Sequence, residues 1–135
     1  YMFKHHKNKD KIRSKSWGYH LFNTYALSII FQYYPDLIKS QIPQRTIDII
    51  KSAKFKNELR GNKYGFPYNP PGFEAALTLR TFRPENREEV TSWLTLQFDE
   101  TFDTKTRLFT KGCHDEITSA ARLYELSRYL ELEEA

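Results

Sequence analysis

Glu74 stands near the head of an apolar run, GFEAALTLRTF, directly after the aromatic stretch GNKYGFPYNPP at 61–71. Asp115 and Glu116 open a second run, HDEITSAARLYELSRYL, and with Glu74 they are the carboxylates best placed for proton chemistry. A general acid and a general base must face one another across a substrate, which makes Glu74 the leading catalytic candidate. The same three residues suit a structural task, because acidic side chains in a first helical turn favour the helix dipole and cap free N–H groups. His20 and Asn23 lie about one turn apart in an apolar segment, where an imidazole can move a proton or simply satisfy a polar spot beneath a helix start. Cys113 and His114 are adjacent, so they project about 100° apart on a helix and do not make a nucleophile and base. Two neighbouring ligands cannot close a tetrahedral zinc site either, and no metal is expected.

Tyr64, Phe66 and Tyr68 occupy alternate positions, stiffened by Pro67, Pro70 and Pro71. If the loop is extended, the three rings share one face. Rigid aromatic faces stack well on sugar rings and need little ordering on binding; they equally well form a hydrophobic lid. With His20, Asn23, Asn69 and Asp115, these three aromatics make up the expected substrate-binding set. The glycines at 61, 65 and 72 lack the spacing and the Lys-Ser/Thr of a phosphate-binding loop, and no other cofactor motif is present, so no cofactor is expected.

The elements that must position these residues are helical. A segment at 17–35, WGYHLFNTYALSIIFQYYP, is apolar on nearly every face, with Ser16 as a cap and Pro35 as a stop. An amphipathic helix is predicted over 44–59, a short apolar one over 72–82, an amphipathic one over 84–102 and a last one over 114–135, while TRLFT (106–110) can pair briefly. The fold class is all-α: antiparallel αα-hairpins in which buried helices alternate with amphipathic ones, as a partial α/α toroid or a compact helical bundle. The buried helices begin near 17, 72 and 114 and carry small residues, forming a loose repeat.

The chain has 135 residues and a net charge of +4, but residues 1–16 hold six Lys/Arg against one Asp. The other 119 residues therefore sum to −1. The organisation reads as a basic arm over 1–16 and a single α-helical domain over 17–135. Nucleic acid is not an expected partner, since only the arm is basic. One cysteine excludes a disulfide framework and suits a reducing compartment. No stretch approaches a membrane span and no signal-peptide pattern opens the chain, so a cytoplasmic protein without a membrane partner is expected. Position 1 is Tyr rather than Met, as in a processed product or a fragment.

WGYHLFNTYAL, NKYGFPYNPPGFEAALTLRTF and HDEITSAARLYELSRYL resemble inner-helix entries of α/α-toroid proteins, a group that includes six-hairpin glycosidases, N-acylglucosamine 2-epimerase-like enzymes and lanthionine-cyclase-like proteins. The resemblance covers about residues 17–131. It implies a carbohydrate ligand, a glycoside hydrolase or epimerase-like activity, and a sugar-binding rim that His20 and Asn23 would face. A closed six-hairpin ring needs twelve helices and this chain offers five, so the resemblance implies a segment of a longer chain or a half that forms a homodimer. The alternative is a non-enzymatic helical interaction module with partner surfaces at its open ends, and whether the chain is an enzyme stays open.

Overall fold

The computed structural model describes residues 2–38 and 44–134, with side chains over 9–36 and 44–132. The fold is all-α. Its helices are α1 (Met2–Gly18), α2 (His20–Tyr33), α3 (Pro35–Ile38), α4 (Gln44–Asp48), α5 (Ala53–Arg60), α6 (Pro71–Phe82), α7 (Arg87–Thr101), α8 (Glu116–Ala121) and α9 (Tyr124–Glu134), with a 3-10 turn at Ile49–Lys51.

Helix α6 is the centre. Every residue from Pro71 to Leu79 is buried, and α2, α7 and α9 pack around it. Its sequence explains this: Pro71 has a backbone angle suited to a first turn, and Ala75 and Ala76 leave room for neighbouring helices. Gly72 lets α7 come closer still, since a Cβ there would lie 2.4 Å from Gln97 Cβ. Gln97 uses that proximity: its Oε1 accepts from Gly72 N at 2.8 Å, which satisfies one of the orphan amides at the α6 N-terminus. The main core joins Leu21, Ile47, Ile50, Phe55, Leu59, Phe66, Leu79, Val90 and Trp93. Trp93 is fully buried and donates its indole N–H to Ile50 O at 3.2 Å.

Several boundaries differ from the sequence reading, each for a local reason. The helix expected over 44–59 is broken at Ser52, whose extended backbone and Oγ, accepting from Phe55 N at 3.1 Å, make it the N-cap of α5. Ser52→Ala is expected to cost about 1 kcal/mol. A lower urea midpoint at unchanged slope is the check. The basic arm is helical, and α2 starts after Tyr19 rather than after Ser16. Pro35 ends α2 and also begins α3. The last helix is two helices, interrupted at Arg122–Leu123. Among its described side chains only Glu125 is buried. The pairing expected at 106–110 is reduced to one bridge, Asp103–Leu108.

The aromatic loop is not extended. Gly65 N bonds to Asn62 O at 2.8 Å and Asn69 N to Gly65 O at 2.7 Å, so the chain runs through successive turns. Alternation therefore does not put the three rings on one face. Phe66 is buried in the core, Tyr64 is half-buried, and Tyr68 stays exposed.

Candidate functional site

The helix break at Tyr19 brings the aromatic loop onto the start of α2. Gly18 has no room for a side chain, because a Cβ would lie 2.3 Å from Tyr64 Cβ. That approach sets the Tyr19 ring 5.7 Å from Tyr64, 6.1 Å from Tyr68 and 6.3 Å from Phe22. Tyr68 and Phe22 meet Tyr19 edge-on and keep 47% and 41% of their surface exposed. The result is a phenol-rich edge of four rings, rigid because each ring packs on Tyr19. The Tyr19 hydroxyl titrates above its usual range through burial and a hydrogen bond with Tyr68.

Beneath this edge sits a buried charge cluster. Arg122, at the break between α8 and α9, donates Nη2–H to Glu74 Oε1 at 2.7 Å, and the same nitrogen is in ion-pair contact with Glu125 Oε1 at 2.6 Å. Its Nε–H donates to the same Glu125 oxygen at 2.7 Å, and its Nη1–H to Asn69 Oδ1 at 2.5 Å. These three hydrogen bonds use Nε–H and one N–H on each of Nη1 and Nη2, and leave a second N–H on Nη1 and on Nη2. The Phe22 ring covers the guanidinium, with Cζ 5.4 Å from its centroid. Asn69 is a hub: Nδ2 donates to Tyr64 O at 2.7 Å and to Gly18 O at 3.1 Å, tying the loop to the helix break and to Arg122 at once.

Both carboxylates are wholly out of solvent, while the Arg122 side chain keeps 12% of its surface. Burial pushes Glu74 up to about 8, Glu125 adds to the rise, and Arg122 opposes it. Burial raises Glu125 as well, against the pull of Arg122. For Arg122 itself, burial is outweighed by the two carboxylates, and the guanidinium stays charged. Tyr25, from α2, completes the cluster: burial and the neighbouring Glu125 raise its phenol, and its hydroxyl is buried without a hydrogen-bond partner.

The structure thus brings Asn69 and Glu74 onto Arg122 and Tyr64 and Tyr68 onto Tyr19, and leaves the other expected site residues elsewhere. His20 donates Nε2–H to Thr46 O at 2.8 Å and packs edge-on to Phe55, and burial lowers its titration. Asn23 is exposed on α2. Phe66 is a core residue rather than a binding wall, because the turns point it inward. Asp115 is the N-cap of α8, accepting from Thr118 N at 3.0 Å, and that bond holds its carboxyl below the usual range. Cys113 is half-buried, with Sγ near the Phe109 and Phe66 carbonyls.

Arg122, Glu125, Tyr19, Phe22 and Tyr25 were not among the expected site residues. A signal existed for two of them: Arg122 and Glu125, three apart inside the apolar segment AARLYEL, are charges that a buried helix face cannot hold without partners. Two open hollows of about 530 and 470 Å³ lie on other faces, between α1 and α5 and between α5 and α7, and contain none of these residues. Among the described residues no group of three His, Cys, Asp or Glu could hold a metal, and no helix is long and apolar enough to cross a membrane.

The fold and this cluster define an all-α unit with a buried Glu–Arg–Glu triad under an aromatic edge. The chain is similar to the Archaeal glycosylation protein Q of Haloferax volcanii, with 36% identity over 124 residues. That match covers 90% of this chain and 33% of the relative, so the chain spans about a third of the relative's length. No protein-family model and no solved structure matches it.

Proposed function

We propose that the chain is a carbohydrate-directed helical unit of the α/α-toroid kind, acting as a glycoside hydrolase or epimerase-like enzyme or as a portion of one. The observation that carries this reading is the four-ring edge of Tyr19, Phe22, Tyr64 and Tyr68 set over Arg122. Aromatic faces cover the C–H face of a sugar ring, and a guanidinium with a spare N–H donates to a hydroxyl. The similarity to a glycosylation protein supports the same substrate class. A ligand on this edge meets Tyr68 and Arg122 first, with Glu74 and Glu125 behind them as the acid/base reserve.

Titration with a panel of soluble oligosaccharides, followed by protein NMR shifts, is the test. Wild-type protein is expected to bind at least one of them with shifts confined to the edge. Tyr68→Ala is expected to weaken that binding by about tenfold, the worth of one stacked ring, with its melting temperature nearly unchanged. A large loss of thermal stability with binding unaltered would make the loop a lid only.

A second reading, a helical interaction module, draws on the exposed apolar residues Ile30 and Tyr33 of α2 and Ile117 of α8. Light scattering on a sizing column separates the two: a stable homodimer that blocks oligosaccharide binding favours the module.

A further inference from the structure

We propose that Glu74 is held as a neutral carboxylic acid at neutral pH, beside an ionised Glu125 to which Arg122 is bound, so that the site stores one transferable proton directly beneath the tyrosine edge. Two fully buried carboxylates share one guanidinium, and the charges do not balance unless a proton is retained. The contacts with the guanidinium say where it sits. Glu125 Oε1 lies against both Nε and Nη2 of Arg122, at 2.7 and 2.6 Å, whereas Glu74 Oε1 meets Nη2 alone, at 2.7 Å. Glu74 Oε2 and Glu125 Oε2 are both buried without a partner, so a free oxygen exists on each; the closer hold of the guanidinium on Glu125 leaves the hydrogen to Glu74 Oε2.

Among the described residues, no ion pair brings a second cation to either carboxylate to replace it. Tyr25 from α2 presents a phenol whose titration burial has raised, a group that stays neutral and whose hydroxyl is itself without a partner. Tyr19 from the α1–α2 break is likewise neutral, and Asn69 from the loop carries no charge. On α9, Tyr124 is a phenol beside Glu125, and Arg128 is exposed and already paired with Glu131 at 3.4 Å. The burial that pushes Glu74 up to about 8 agrees with this assignment. Transfer of the proton from Glu74 Oε2 to an acceptor oxygen leaves Glu74 ionised and paired with the guanidinium. Use of that proton on a saccharide rests on the reading above; its presence does not.

Isotope-edited infrared spectroscopy of the full chain with ¹³C-carboxyl glutamate tests the proton without any ligand. The wild type is expected to show a protonated carboxyl stretch at about pH 7, where an ordinary glutamate is ionised, and to lose it as pH rises past about 8. The band should be missing from Glu74→Gln and kept by Tyr68→Ala. Absence of the band in the wild type at neutral pH overturns the proposal, and so does its persistence in Glu74→Gln. Should Glu74→Gln fail to fold, the wild-type pH series alone decides. A band that is present while oligosaccharides fail to bind removes the carbohydrate reading and leaves the stored proton standing.

The folded protein binds this proton more tightly than the unfolded chain does. Stability contributed by Glu74 is therefore fully present below the unfolded value of 4.5 and declines as pH rises toward about 8. The melting temperature of the wild type relative to Glu74→Gln should fall across that window, and a flat difference would count against the assignment.

Discussion

Arg122→Met is expected to lower the unfolding free energy by on the order of 3–5 kcal/mol at pH 8, the largest effect of any single substitution at this site. Methionine fills much of the same volume but leaves Glu74 and Glu125 buried with no counter-charge. It also removes the donor to Asn69, whose amide holds Tyr64 and Gly18 in place, so the edge loosens together with the triad. The loss must shrink as pH falls. Protonation neutralises the stranded carboxylates, and the variant gains at low pH what it lacks at high pH. Urea unfolding followed by circular dichroism at pH 8 and pH 5 is the measurement. A cost under about 1 kcal/mol at both would show that the triad behaves like a surface ion pair.

Gly72→Ala is the second. The added Cβ would lie 2.4 Å from Gln97 Cβ and 2.5 Å from the Trp93 carbonyl oxygen. A backbone oxygen in the middle of α7 cannot turn aside, so α6 and α7 must separate, at about 1–3 kcal/mol or somewhat more. The separation also breaks the Gly72 N–Gln97 Oε1 bond and displaces Glu74, two residues further along α6, from Arg122. Gly61→Ala is the control, because a Cβ there meets nothing within 4 Å and the substitution should be nearly silent. Equal stability of the two variants would mean the α6–α7 contact yields more readily than its geometry implies. If the site responds as expected, Gly72→Ala also weakens oligosaccharide binding although Gly72 touches no ligand.

The sequence by itself determined the class of the fold and the positions of its main helices. Prolines and glycines are clustered, apolar residues recur at helical spacing, and Pro71 marks the start of α6 as the residue reading had it to within one position. These are local properties, set by backbone preference and by the period of the apolar pattern. Glu74 was legible for the same reason: a lone carboxylate in GFEAALTL has to be either a cap or something more. Ser52 was legible in principle as a cap, yet the apolar stripe of 44–59 continues across it and hides the break.

What only the tertiary structure decided is which groups meet. Glu74 and Arg122 are separated by 48 residues, and although the apolar setting of Arg122 calls for a partner, nothing local says which one. Their pairing follows from the fold, which packs α9 against α6 and leaves two buried carboxylates with one cation in reach. The aromatic loop shows the same limit. Alternation in sequence implies a shared face only for extended backbone, and the turns that Gly65 and Asn62 make send Phe66 into the core and leave Tyr68 outside. Tyr19 and Phe22 join the edge because Gly18 lets the loop approach the helix break, a contact between segments some 50 residues apart. Charge balance and close packing are properties of a neighbourhood in space, and a chain read one residue at a time contains them only as unpaired charges and missing side chains.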